Sequence, residues 1–425
     1  MDKKKKTLFL CSIIYHLFIK NMKLKFLYLF LLISIFLNAS CSRSKRPVEI
    51  KGVGLYAFDM ENTKKFPADL SFYSSLFKKV NIIPLETSED CLVGRISKIS
   101  VVDSYILVLD PSSCLFVFNK EGKFIRKIGN VGQGPGEYSM PIDFTIDRDN
   151  HLVYILDYGI QRINKYDIAT GKFMQAIALE QEVRSYRIEF FAGRIYADAS
   201  FRNHTDDNYL LRAIQESSGK EENHYLNVVT YNKGVSASNM AHNTFYMREN
   251  GNIIFVHLFM DHIVEISKDS VFPLIKLKSR DFFTSEEIKK IMGGSVVQYS
   301  AGIRQSNKYH SIHSFIEKGD IILFDMKKGR YLHKLLIDKK KNELFVIENL
   351  RDDVLLMDNI SAVMPTIGCY NKDGVYCYLS DSHSTSEYQT LAKSGSLSPE
   401  AGRLEDLINL DEDANPIIIY YEFKE

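Results

Sequence analysis

Tryptophan is missing from all 425 residues, which excludes the Trp-Asp class of repeat. Charge of one sign is scarcely in excess. Lys and Arg number 54 against 53 Asp and Glu, leaving +1, which gives no support for a nucleic-acid binder held by phosphate contacts. No apolar run reaches the ~20 residues a membrane-spanning helix needs. The chain also lacks any Cys-x-x-Cys or Cys/His ligand spacing, so neither a structural zinc site nor any other resident metal or cofactor is expected. There is no Gly-x-Ser-x-Gly elbow, His-Glu-x-x-His helix or Asp-x-Asp-x-Asp-Gly calcium loop. Triads and paired carboxylates assemble from distant residues, so these local absences leave an enzyme open.

What is present begins with a hidden asymmetry. Residues 1–40 hold seven Lys and one Asp, so the near-neutral total conceals an acidic body. Two apolar runs, Leu8–Ile19 and Phe26–Leu37, are split by a Lys-bearing segment. Starting at Met22, a Met-Lys-Leu-Lys head, an apolar core and Leu37-Asn38-Ala39-Ser40-Cys41 make a compact export signal. The ending resembles the lipobox of bacterial lipoproteins, with Asn38 where an aliphatic residue is usual. That resemblance implies a lipidated Cys41 and an envelope location, each buried CH₂ of the acyl chains adding ~0.8 kcal/mol of membrane affinity. The expected layout is a signal over 1–40, the lipidated Cys and a linker over 41–69, and one folded body over 70–425.

The 24 Tyr and 27 Phe suit a strand-rich body, and the body repeats a phrase. Tyr105–Asp110, Leu115–Asn119 and Gly122–Ile125 recur as Val153–Asp157, Arg162–Tyr166 and Gly171–Met174. Weaker copies follow, beginning near residues 185, 242, 312 and 363 after those near 92 and 140. Each unit reads as four short alternating strands bounded by Asp, Asn and Gly turns. A four-stranded repeat of roughly 40–50 residues marks a propeller blade, so the fold class is all-β, a six-bladed β-propeller with short helical insertions. Val80–Leu85 and Pro416–Tyr421 are spare strands suited to closing the ring. Helical spacing appears over Asp281–Met292, with Ser285 as the cap, and from Ser398-Pro399 to Leu407.

The loop Gly129-Asn130-Val131-Gly132-Gln133-Gly134-Pro135-Gly136-Glu137-Tyr138, followed by Pro141–Phe144 and Arg162-Ile163, resembles an NHL-type repeat. With the terminal Asn415-Pro416 strand, the body is similar to the six-bladed, NHL/TolB-like propeller lipoproteins of Bacteroidetes. That likeness implies an exported, surface-tethered ring and brings no established catalytic residues.

The residues singled out have both plain and functional readings. Tyr138 reads as a wedge between blades, and Glu137 as a cap for nearby N–H groups or a group at the channel mouth. Asp110, Asp157, Asp198 and Asp325 end equivalent strands, where Asp closes turns; a ring of carboxylates is the alternative. Arg162 opens the strand after Asp157. Cys369 and Cys377 flank a hairpin turn and face each other for a disulfide if Lys372-Asp373-Gly374 form its loop. His310 and His313 fall on opposite strand faces, and His204 and His257 read as loop or half-buried groups. The leading functional expectation is a membrane-tethered binding or scaffold module for a protein, peptide or glycan at one face of the ring. A glycan- or peptide-acting lyase or hydrolase at the channel mouth and a structural subunit of an envelope assembly are the alternatives. A polar, deep pocket would favour the enzyme, and an apolar or shallow rim the binding module.

Overall fold

Strands such as Tyr105–Leu109 and Leu115–Asn119 are almost continuously apolar, and the reason is that both of their faces are covered. Ile106, Leu107, Val108 and Leu109 are all fully buried because each sheet is sandwiched between two others. The structure is a computed structural model that describes residues 55–67, 73–179, 183–201, 208–234, 243–292, 296–357, 365–379, 382–411 and 413–424. The leader, Cys41 and His204 lie outside the described residues. Six four-stranded antiparallel sheets form a six-bladed β-propeller.

From the axis outward, blade 1 is Lys98–Val102, Tyr105–Leu109, Leu115–Asn119 and Phe124–Ile128. Blade 2 is Pro141–Asp147, Leu152–Asp157, Arg162–Asp167 and Phe173–Ala178. Blade 3 is Ile188–Phe191, Arg194–Asp198, Tyr209–Gln215 and Glu221–Asn227. Blade 4 is Phe245–Met247, Ile253–Phe255, His262–Ile266 and Val271–Lys278. Blade 5 is Tyr309–Lys318, Ile321–Lys328, Tyr331–Asp338 and Glu343–Ile347. Blade 6 joins both ends of the chain: Thr366–Tyr370 and Gly374–Tyr378 pair with Ile417–Phe423, whose other edge takes Phe77–Pro84. The two spare strands therefore do close the ring, with Ile419 opposite Ile82 and Tyr421 opposite Val80.

The segment expected as linker is already part of the ring from Tyr56 onward. Tyr56–Asp59 adds a fifth, parallel strand to the outer edge of blade 4, and Lys64–Lys65 does the same for blade 5. Phe58 and Met60 are buried in the core between those blades, and Phe66 packs edge-on against Phe345 at 5.5 Å. Covering these edges removes hydrogen-bonding groups that another chain would otherwise pair with.

Among the described residues five α-helices decorate the sheets: α1 Val228–Asn232, α2 Ser285–Met292, α3 Val296–Gln305, α4 Ser382–Lys393 and α5 Leu404–Ile408. All five lie in connections from a second strand to a third or from an outer strand to the next inner one. In a four-stranded antiparallel blade those connections emerge at one end, so the helices share one face of the ring. The opposite end carries short hairpins such as Asp103-Ser104. The cap of α2 is Thr284, one residue before the expected Ser285. Its hydroxyl accepts from Glu287 N at 3.3 Å while the Glu287 carboxylate accepts from Thr284 N at 2.8 Å, a reciprocal capping box. Ser285 instead donates to the Lys233 carbonyl. Ser398 does cap a helical turn, but only Pro399–Ala401 follows, because Gly402 (φ 65°) and Arg403 (φ 53°) turn left-handed before α5.

Local irregularities overturn two expectations. A register shift between Ile367 and Cys369 sets Cys369 opposite Tyr376 and Cys377 opposite Ile367, so the cysteines do not pair across the hairpin. Both are free thiols in different cores, and burial pushes Cys369 up to about 12. Two shifts around His310–His313 bring both rings to one hydroxyl: Ser311 Oγ lies 2.9 Å from His310 Nδ1 and 2.8 Å from His313 Nε2.

Candidate binding face

The helix-bearing end is organised by one repeated contact. Asp110, just past the second strand of blade 1, accepts from the Gly94 and Arg95 N–H groups and from Ser112 N and Oγ. Asp157 accepts from Ser139 N and Oγ and from Met140 N, and Asp198 from Tyr186 N at 2.7 Å and Arg187 N at 2.9 Å. In each case the carboxylate holds the residues that lead into the innermost strand of its own blade. Asp325 departs from this set. It lies within Ile321–Lys328, not at its end, hydrogen-bonded to Ser314 Oγ and Lys334 Nζ. Blade 4 carries His257 where blade 2 has Asp157, since the loops 157–162 and 257–262 match, Leu179 N donating to Gln161 O as Leu277 N does to Asp261 O. Its ring is 1% exposed with Nε2 unpartnered, and burial pushes the imidazole down to about 4.

The glycine loop is fastened between blades 1 and 2. Tyr138 is fully buried; its hydroxyl donates to the Ile128 carbonyl at 2.9 Å and accepts from Leu115 N at 3.2 Å. The Glu137 carboxylate accepts from Gly134 N at 2.7 Å, and its carbonyl takes Arg162 and Asn164. Gly129 needs its φ of 66°, and a Cβ there would stand 2.5 Å from the Tyr138 ring. Glu137, Tyr138 and Arg162 are thus engaged in joining two blades.

At the axis this face opens a cavity of about 380 Å³ lined by Arg95, Ile96, Ser97, Pro111, Ile142, Arg187 and Tyr378. Four blades supply these groups. Arg95, Met140 and Arg187 are each the second N–H donor to their blade's Asp, although Arg95 lies three residues before its inner strand and Arg187 one. Arg95 is exposed; Arg187 is 9% exposed and donates to the Tyr186 carbonyl at 2.8 Å. Burial raises the Tyr378 hydroxyl, opposed by the charges of Arg187 and Arg95. The lining contains no carboxylate, imidazole or thiol to move a proton near neutral pH, and the Ser97 hydroxyl is spent on the Leu109 carbonyl. Deeper in the channel, Lys98 Nζ lies 3.0 Å from Asp143, whose other oxygen accepts from Ile188 N, and 3.9 Å from Glu189. Burial raises Glu189, with Lys98 opposing.

None of the residues first singled out lines this cavity. The usable signal was the recurrence of Arg-Ile before the inner strands of blades 1 and 3, Arg95-Ile96 and Arg187-Ile188. A wider depression of about 760 Å³ runs along α2 and α3, but Glu287 and Lys308 there already pair with each other at 3.3 Å. Among the described residues no cluster of three or more His, Cys, Asp or Glu is arranged to hold a metal ion, and no helix is long and apolar enough to cross a membrane.

A family model described as a domain of unknown function, DUF4934, matches residues 56–422. Among solved structures, a Bacteroides fragilis protein carrying the name of an exported protein superposes with a TM-score of 0.66 at 19% identity, covering 87% of this chain and 99% of that one. A DUF4221 family member from Bacteroides vulgatus gives 0.50 at 9% identity, covering 82% and 97%. At these identities the likeness is one of fold. No curated protein sequence matches the chain.

Proposed function

The chain belongs to the DUF4934 family, and we propose that it is an exported, membrane-tethered ring that binds a protein, peptide or glycan on its helix-bearing face. One observation carries this reading: among the described residues, all but two of the exposed large apolar side chains lie at that end. Leu92, Val131, Met140, Ile160, Val229 and Met357 sit in its connections, and Tyr331 and Leu332 begin the strand that leaves it. Met174 is at the hairpin end, and Leu55 lies midway along the outer edge of blade 4. Scattered apolar residues need no explanation, whereas a one-ended bias is the mark of an interaction surface. Export is supported by the basic, apolar leader and the Leu37–Cys41 ending, and Cys41 is the lipidated anchor in this reading.

The face is tested with photo-crosslinkers placed at Val229 or Leu332 on one end and at Met174 on the other, in the native envelope. A discrete adduct from the first two positions, absent from Met174, is expected; equal labelling from both ends would overturn the reading. The tether is tested separately by membrane partitioning and acyl labelling. Wild type should partition with membranes and Cys41→Ala should not.

A further inference from the structure

The longest of the outer-to-inner connections, residues 279–308 between blades 4 and 5, carries α2 and α3 and is fastened on several sides. Ser285 Oγ donates to the Lys233 carbonyl at 2.9 Å, and Tyr309 N to the Asp281 carbonyl at 2.8 Å. Phe283, Ile288 and Ile303 are buried in one cluster with Leu258 and Phe259 of blade 4. A Cβ on Gly302 would stand 2.2 Å from Ile291 Cγ2, so α3 lies directly against the last turn of α2. The depression of about 760 Å³ along these helices takes its apolar part from Phe283 and Ile291. Most polar groups of its lining are already engaged. The Glu287 carboxylate takes Thr284 and Lys308, the Ser306 hydroxyl donates to the Ile303 carbonyl at 2.7 Å, and Gln298 has a partner of its own. Lys290 and Asn307 are left. Both line the depression, both are exposed, and neither side chain makes a hydrogen bond or ion pair among the described residues.

We infer that this depression receives the free C-terminal end of a peptide or protein partner, its carboxylate on Lys290, its last amide on Asn307 and an apolar last side chain against Phe283 and Ile291. This rests on the binding reading above and narrows both the partner and its place on the face. The volume lies well inside the range of ligand sites. A chain end brings one carboxylate, one flanking amide and one side chain together, which matches the unpaired cation, the unpaired amide and the apolar wall of the described lining. An ammonium and a carboxylate form a charge-assisted hydrogen bond, and an Asn side chain meets a peptide unit with both a donor and an acceptor. An internal Glu or Asp would enter with peptide groups on both sides, and those left without partners would oppose binding. A sugar would bring a ring of hydroxyls to a lining whose polar groups are mostly engaged. Because both helices are pinned before a ligand arrives, little ordering opposes its binding.

The test is a titration of the full chain, labelled at isoleucine methyl groups so that Ile291 reports on the depression. The probes are acetyl-Ala-Leu-Leu with a free carboxylate, the same peptide ending in an amide, and octanoate as an apolar acid without a peptide unit. The acid peptide should shift the Ile291 signals, and the amide twin and octanoate should each bind about fivefold more weakly or not at all. Lys290→Gln should weaken the acid peptide by about fivefold and leave the amide twin unchanged, whereas Asn307→Ala should weaken both peptides. Lys289→Gln, at an exposed neighbouring position of α2 that does not line the depression, should leave the acid peptide within about twofold. Equal response to the acid and amide peptides, an equal loss from Lys289→Gln and Lys290→Gln, or tighter binding of octanoate would overturn the inference. Adducts at Val229 and Leu332 that persist without a response to the acid peptide would leave the binding face standing and sink only the chain-end site; loss of both would sink the two together.

Discussion

Asn415 Oδ1 accepts the Val93 N–H at 2.8 Å across 322 residues of chain. The same side chain, 2% exposed, donates to the Glu86 carbonyl at 2.6 Å and to the Cys91 carbonyl, while its backbone N–H goes to Thr87 Oγ1 at 2.9 Å. One amide, two residues before the last strand, thus ties that strand's entry to the connection that enters blade 1, beside the seam where the ring closes.

Asn415→Ala should lower unfolding stability by about 2–4 kcal/mol, because it leaves buried donors and acceptors unmatched. Asn415→Asp keeps the acceptor for Val93 and loses both donors, so it should fall no less. Urea titration checks this; a change below about 0.5 kcal/mol would show that the clasp is dispensable.

Gly129→Ala should destabilise by more than the ~1 kcal/mol typical of an exposed glycine position. Its φ of 66° strains any Cβ, and the methyl would meet the Tyr138 ring at 2.5 Å and the Tyr166 hydroxyl at 2.8 Å. Both rings are pinned, Tyr138 to Ile128 and Tyr166 to the Gly136 carbonyl, so neither yields cheaply. Gly193→Ala, with a φ of 78° and open space around its Cβ position, separates strain from crowding and should cost less. Thermal unfolding of the pair gives the comparison.

His257 makes a signed pH prediction. Burial pushes its imidazole from the ordinary 6.5 down to about 4 in the folded chain, so the unfolded chain takes up the proton first. The stability it contributes is present above pH 6.5 and is lost as pH falls from about 6.5 to about 4, approaching ~3 kcal/mol at the lower end. Asp352, raised to about 6 by burial, runs the other way, its contribution lost as pH rises from about 4 to about 6. The difference between wild type and His257→Asn isolates the imidazole. It should narrow between pH 6.5 and 4, and a constant offset would show that His257 stays neutral in both states.

Arg248→Met should cost about 3–5 kcal/mol. The guanidinium joins two carboxylates that are 5% and 3% exposed, Glu265 of blade 4 and Glu317 of blade 5, with Lys339 Nζ 2.7 Å from Glu317. Among the described residues Lys339 then remains for Glu317 and Asn252 for Glu265. Adding Glu265→Gln should recover part of the loss, and a double-mutant cycle in denaturant measures the coupling.

Much of the ring was readable because second and third strands in several blades are written as apolar runs stopped by Asp, Asn or Gly. The closing strands were readable for the same reason, as apolar segments with no blade of their own. Tyr56–Asp59 and Lys64–Lys65 were not, since parallel edge strands of four and two residues are too short to show a period. Thr284 and Ser285 are adjacent hydroxyls, and only geometry tells which one caps. The bulges beside Cys369 and His310 shift register by one residue, which hydrophobic pattern cannot foresee where both faces are buried. Attention to the strand-ending Asp residues found the fasteners of the helix-bearing face, while Arg95 and Arg187, three residues and one residue before their inner strands, lie outside the strand pattern and escaped notice.

The direction in which the chain enters the ring has a mechanical meaning. Tyr56–Asp59 runs parallel to Val271–Lys278, which climbs from a hairpin toward the helices, and it joins that strand halfway along, at Ile275. A pull on Tyr56 back along that strand is therefore borne in shear by the ladder to Ile275–Lys278, whose hydrogen bonds must give way together and not one at a time.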